Sequence, residues 1–132
     1  MKRKLLLIAL LIVNYTFAQD YFFNGSVDSD PTNPLNWDTS VMPPNIGTGT
    51  INAGETVNII GGATFDAPSN LSILGSLINE GDFAIPATGY IYMQDGVLTN
   101  KGTGTMTLSG MIDGFGTSTI TNSENGTLSF IG

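Results

Sequence analysis

The chain has 132 residues, of which only 11% are charged, with four Lys and Arg against 11 Asp and Glu and neither His nor Cys. Nucleophile–imidazole constellations and ordinary zinc sites are thereby excluded, and no disulfide can staple the fold. What remains to hold a chain of this size is apolar packing and backbone hydrogen bonding, and its length suits one domain.

The N-terminus reads as a targeting segment. Met1-Lys2-Arg3-Lys4 is basic, Leu5–Val13 is an unbroken apolar run, and Thr16-Phe17-Ala18 ends in a small residue that a signal peptidase accepts. Nine apolar residues are too short to span a bilayer of about 30 Å at about 1.5 Å per residue, so residues 1–18 are expected to be a signal peptide cleaved near Ala18/Gln19. No Cys stands at that point to carry a lipid. Cleavage removes three of the four basic side chains and leaves Lys101 against 11 acids, a formal charge of −10. Phosphate neutralisation needs several cations, so nucleic acid is excluded as a partner, and anionic membranes and polyanionic glycans are disfavoured. A secreted or cell-surface protein with no transmembrane segment in its mature chain is the expectation.

Residues 19–45 stand apart from the rest of the mature chain. Tyr21-Phe22-Phe23 is a short aromatic strand, Asn24-Gly25-Ser26 a turn, and Pro31/Pro34 and Pro43/Pro44 forbid helix on either side of Trp37. A stack of coils exposes apolar surface at its first turn, and this aromatic, proline-rich segment is expected to cap it.

From residue 46 to 132 the pattern is strand, turn, strand. Gly75-x-Leu77-x-Asn79-x-Gly81 returns as Gly96-x-Leu98-x-Asn100-x-Gly102, each residue moved by 21 positions, and Ile120 and Asn122 follow 22 positions later while the glycine slips to Gly126. A period of about 20–25 residues made of short apolar alternations and glycines marks a solenoid, whose coils bury their apolar faces only against one another. The expected fold is therefore all-β, a short right-handed parallel β-helix of four or five coils. Val57, Ile59, Phe65, Leu71, Ile73, Leu77, Phe83, Ile85, Ile91, Met93, Leu98, Met106, Leu108, Ile120, Leu128 and Phe130 fall at period-two positions and form the predicted core. The segment from Gly126 to Gly132 reads as a strand with no polar cap after it, so the chain is expected either to be a fragment, the favoured reading, or to self-associate through its last coil.

The leader, Asn36-Trp37-Asp38, Pro43-Pro44, Ile51-Asn-Ala-Gly54-Glu-Thr-Val57-Asn-Ile59 and the Gly-x-Leu-x-Asn-x-Gly repeats together resemble the N-terminal part of bacterial surface proteins with adhesin- or autotransporter-like β-helix repeats, in the style of exported proteins of the Bacteroidetes. Such proteins carry many more coils and a C-terminal sorting domain, neither of which appears here. The resemblance implies surface display or adhesion rather than a reaction, with glycans or other surface proteins as partners.

Several side chains are candidates for a role. In a stack of coils Asn79, Asn100 and Asn122 lie above one another at about 4.8 Å, where their amides can form a hydrogen-bonded column. Asp28 and Asp30, with Asn33, have the opening spacing of a calcium loop, yet Thr39 stands where the bidentate Glu is required, and Pro31 and Pro34 favour Asx-turns instead. No cofactor is expected. Tyr90 and Tyr92, alternating with inward Ile91 and Met93, would stand on the outer face about 7 Å apart, as a platform for sugar rings or as cover for neighbouring coils. Thr-x-Thr pairs at Thr48/Thr50, Thr103/Thr105/Thr107 and Thr117/Thr119/Thr121 suit an ice-binding face or simply good strand residues. No catalytic residue is assigned and the chain is expected not to be an enzyme. The only chemistry left open is a carboxylate pair among Glu80, Asp82, Asp95, Asp113 and Glu124, since glycoside hydrolysis needs two acids about 5–9 Å apart.

Overall fold

The computed structural model describes residues 18–131, so the leader assigned to residues 1–18 lies outside the described residues except for Ala18. Among the described residues there is no α-helix; thirteen short strands stack into a parallel β-solenoid. Sheet A comprises β1 (Gln19–Phe23), β3 (Glu55–Ile59), β6 (Ser76–Asn79), β9 (Val97–Asn100) and β12 (Thr119–Asn122). Sheet B comprises β2 (Thr50–Ile51), β5 (Asn70–Ile73), β8 (Tyr90–Gln94) and β11 (Met111–Phe115), and sheet C comprises β4 (Thr64–Asp66), β7 (Asp82–Ile85), β10 (Thr105–Leu108) and β13 (Thr127–Phe130). Each coil runs from B through A to C, giving four coils, and every pairing between these strands is parallel.

The period-two alternation decides which residues face inward. In sheet A the register aligns Tyr21, Val57, Leu77, Leu98 and Ile120 in one inner column and Phe23, Ile59, Asn79, Asn100 and Asn122 in the other. Sheet C contributes Phe65, Phe83, Met106 and Leu128, and sheet B contributes Ile51, Ile73 and Met93 beside Leu71, Ile91 and Ile112. The interior is a narrow apolar rod, which is why each coil needs neighbours above and below to bury its side chains.

Two sequence expectations change. The glycine equivalent to Gly81 is Gly104 rather than Gly102, because Thr105 pairs with Asp82 and Thr127 with Thr105, so the corner after Asn100 is two residues longer than the one after Asn79. Gly102 is an extra turn residue in that corner, with φ of 62°. Phe130 is also not buried: it continues the inward column of Ile85 and Leu108 yet is 64% exposed, because the fourth coil has no described coil beyond it. Ile112, Ile120 and Leu128 in the same coil are only partly buried for that reason.

At the other end the N-terminal segment divides in two. Gln19–Phe23 joins sheet A as the parallel neighbour of β3, whereas the residues after it form short 3-10 turns at Pro34–Asn36, Asp38–Ser40 and Ile46–Thr48. Trp37 is 2% exposed and meets Phe23 edge-on with ring centroids 5.2 Å apart, and Tyr21 and Phe65 at 6.4 Å each. Its Nε1–H donates to the carbonyl of Pro31 at 2.9 Å, so the one polar group of the indole is satisfied inside the apolar end plate. Asn36, fully buried, ties the loop together. Its Oδ1 accepts from the backbone N–H groups of Val27 and Asp28 at 2.9 and 3.0 Å, and its Nδ2 donates to Asp28 Oδ1 and to the carbonyl of Asp30.

Candidate functional site

Among the described residues, a polar column runs through the stacked coils, separate from the buried Asn36 in the N-terminal loop. Asn79 Nδ2 donates to Asn100 Oδ1 at 2.8 Å, and Asn100 Nδ2 donates to Asn122 Oδ1 at 2.8 Å. The same amides reach the corner carbonyls: Asn79 Nδ2 lies 3.0 Å from the Gly81 and Thr105 oxygens, and Asn100 Nδ2 lies 3.0 Å from those of Gly104 and Thr127. Asparagine fits because it offers donors and an acceptor on one short planar group, matching both the next amide and the carbonyls where the chain turns from sheet A to sheet C. The column ends against Ile59, and there Asn79 Oδ1 is buried without a partner. Asn79 and Asn100 are fully buried and only Asn122, in the last described coil, is exposed, so the column knits successive coils together from inside the stack.

Glycine is required beside the column. A Cβ on Gly104 would stand 2.7 Å from the Asn79 carbonyl oxygen and 2.8 Å from Asn100 Oδ1, with backbone on one side and a hydrogen-bonded amide on the other. Gly104→Ala is therefore expected to cost about 1–3 kcal/mol by overpacking. Gly47→Ala, where a Cβ meets nothing within 4 Å, is expected to be neutral or slightly stabilising. Urea denaturation midpoints of the two variants check the contrast.

Asp28 and Asp30 lie in the N-terminal loop, where both Asp28 oxygens and one Asp30 oxygen accept local hydrogen bonds. Asp28 accepts from the Asp30 backbone N–H at 2.9 Å, from Asn33 Nδ2 at 3.0 Å and from Asn36, while Asp30 Oδ1 accepts from the Thr32 N–H and hydroxyl, each at 2.8 Å. These are Asx-turns, and among the described residues no group of three or more acids could hold a metal ion. The hydrogen bonds from Asn33, Asn36 and Asp30 favour the ionised form and hold the Asp28 carboxyl below its ordinary value of 3.8. A depressed native value means the stabilisation is present above the ordinary carboxylate range and is lost as pH falls through the lowered one. Thermal stability is thus expected to fall below about pH 4, and Asp28→Asn to flatten part of that fall in a melting series from pH 7 to pH 2.

The remaining candidate acids lie in four places, with Glu80 and Glu124 sharing one corner. Glu80 and Glu124 sit at the corner between sheets A and C, where Glu80 pairs with Lys101 Nζ at 2.9 Å and Glu124 accepts from the Gly102 N–H at 2.9 Å. Asp82 belongs to sheet C, Asp113 to sheet B, and Asp95 to the corner between B and A, where it accepts from the Thr117 N–H and hydroxyl. The Thr-x-Thr pairs are likewise split, with Thr50 on sheet B, Thr105 and Thr107 on sheet C, and Thr119 and Thr121 on sheet A, so they build no common array.

The outer face of sheet B is where aromatic side chains gather. Tyr90 and Tyr92 point outward from β8, as the alternation with buried Ile91 and Met93 requires, but each engages the next coil. The Tyr92 ring lies 5.5 Å from that of Phe115 at an interplanar angle of 41°, and the Tyr90 hydroxyl donates to Asp113 Oδ2 at 3.1 Å. Partial burial first, and then this contact with Asp113, raise the Tyr90 phenol above its ordinary value. The partners arise because β11 pairs with β8 and places Met111, Asp113 and Phe115 beside Tyr90, Tyr92 and Gln94. Phe115 is a member of this face that composition and spacing alone did not single out, and Asp113, named from the sequence only among acids for a carboxylate pair, belongs to it as well. Their signal is the 21-residue offset that superposes Tyr90–Gln94 on Met111–Phe115. No family model, curated protein or solved structure matches the chain.

Proposed function

We propose that this chain is an exported, non-enzymatic β-solenoid that serves at the cell surface or outside the cell as an adhesive or structural module. The observation that carries this reading is the allocation of side chains. The inward positions of the coils are occupied by apolar packing and the asparagine column, so contacts with other molecules fall to the outer faces, which run the length of the stack. Extended rigid faces suit many shallow contacts made in parallel, which gain strength by multiplicity. The basic, apolar and small-residue pattern of residues 1–18 supports export. Resemblance in sequence style to surface proteins of the Bacteroidetes type supports glycans or other surface proteins as partners.

The test is direct. The whole chain with a C-terminal epitope tag, produced in a bacterium with an outer membrane, should be recovered in the medium or be digested by protease added to intact cells, beginning at Gln19. Beads coated with it should adhere to cells or to extracellular matrix above the level of beads coated with an equally acidic control protein. Retention in the cytoplasm with residues 1–18 intact would contradict export, and bead adhesion at control level would contradict the adhesive role.

A further inference from the structure

Sheet B presents a surface unlike those of the other two sheets. Three registered rows cross its outer side: Asn70, Tyr90 and Met111; Ser72, Tyr92 and Asp113; Gln94 and Phe115. Rings, hydroxyls, amides and one carboxylate therefore alternate on a rigid, hydrogen-bonded plane. Phe115 and Met111 are 52% and 67% exposed, so an aromatic ring and a thioether lie in solvent beside the half-buried tyrosines. Tyr92 props Phe115 from below, and Asp113 is anchored by the Tyr90 hydroxyl while keeping acceptor capacity free, since a carboxylate has about four lone-pair sites.

We propose that this face binds neutral glycan chains, with Tyr92 and Phe115 packing against the C–H face of a sugar ring and Asp113 accepting hydrogen bonds from its hydroxyls. The ligand class follows from the chemistry of the face. A flat plane cannot envelop a small compact molecule, which needs most of its surface covered, whereas a polymer lying across the coils gains from several shallow contacts. The polymer must offer both an apolar face for rings and hydroxyl donors for a carboxylate, which a hexose does on every unit. It must also lack negative charge. Among the described residues Lys101 is the only cation, it is paired with Glu80 at the corner between the other two sheets, and the excess of acids opposes an anionic chain. The same repulsion opposes a second copy of this protein on the face.

The proposal deepens the adhesive reading and rests on it for its setting, so the experiment separates the two. Binding of hexasaccharides of β-linked glucose, mannose, xylose and N-acetylglucosamine is measured by calorimetry and by NMR titration, with hexagalacturonate as the anionic comparison. At least one neutral hexasaccharide should bind and shift the resonances of Tyr92, Asp113 and Phe115, and hexagalacturonate should not. Tyr92→Ala and Phe115→Ala should each weaken binding on the order of tenfold. Asp113→Asn should weaken it as well. Phe22→Ala, which removes an exposed ring from sheet A, should leave it unchanged. Tyr92→Leu guards against a variant that fails to fold, because it keeps apolar cover on the sheet while removing the flat ring. Absence of binding to every neutral probe, equal binding of hexagalacturonate, or binding that survives Tyr92→Leu and Phe115→Ala overturns the site. If coated beads adhere and Phe115→Ala beads adhere equally well, the glycan site is wrong and the adhesive module stands.

Discussion

Asn100→Ala is expected to lower stability by about 3–5 kcal/mol, a large share of what a domain of this size possesses. The substitution removes one amide and strands several groups at once. Asn79 loses its acceptor, Asn122 Oδ1 loses its donor, and the carbonyls of Gly104 and Thr127 lose the amide that reaches them. Burial makes this costly at Asn79, which like Asn100 is 0% exposed and has no water to replace the lost acceptor, whereas Asn122 is exposed and can turn to solvent. Asn100→Leu restores the volume but none of the hydrogen bonds and is expected to cost nearly as much. A leucine variant as stable as the natural chain would show that volume, not the polar column, is what matters at this position. Urea denaturation of the three proteins supplies the comparison.

The second large effect is at the opposite end of the stack. Trp37→Ala is expected to cost about 3–5 kcal/mol through lost burial and the void left behind. The indole packs against Tyr21, Phe23 and Phe65, so its loss opens β1 and β4 in particular. In a solenoid each coil senses its immediate neighbours, and the damage should therefore be graded along the axis. Hydrogen exchange should lose protection first in Gln19–Phe23 and Thr64–Asp66 and least in Val97–Asn100 and Thr105–Leu108. Uniform loss across all strands would mean that the stack unfolds as one unit with no distinct end plate. Trp37→Phe, which keeps a ring but not the Nε1 hydrogen bond to Pro31, should fall between the natural chain and the alanine variant.

The sheet-A column was legible because its chemistry is restrictive. Leu77 and Leu98 recur with Asn79 and Asn100 at one spacing, and a buried amide tolerates few substitutes, so period and fold class can be read directly from those four residues. The corners are less restrictive. Gly102 matches Gly81 in spacing, yet the two residues added after Asn100 move the structural equivalence to Gly104, a shift that spacing alone conceals. Burial of Phe130 fails for a related reason, because alternation gives the direction of a side chain but not what lies beyond it.

The N-terminal end was legible in composition and not in detail. Aromatics and prolines announce a cap, but the parallel pairing of Gln19–Phe23 with Glu55–Ile59 joins segments across an irregular loop, and no repeat encodes it. The buried hub at Asn36 is equally silent, since in sequence it is one asparagine among many on a turn. On the outer face the tyrosines stand out by alternation. Asp113 and Phe115 do not, because Gly114 occupies the inward position between them and breaks the apolar pattern that would mark β11 as the partner of β8.

Every functional reading of this chain rests on successive coils lying in register around the asparagine column. Nuclear Overhauser contacts between side-chain amides in uniformly labelled protein test this most directly. Stacked coils predict cross-peaks from the Asn100 amide protons to those of Asn79 and Asn122, 21 and 22 positions away in the sequence, with slow exchange against solvent at Asn79 and Asn100. Rapid exchange of those two amides, with no cross-peak connecting the three asparagines, would contradict the stack.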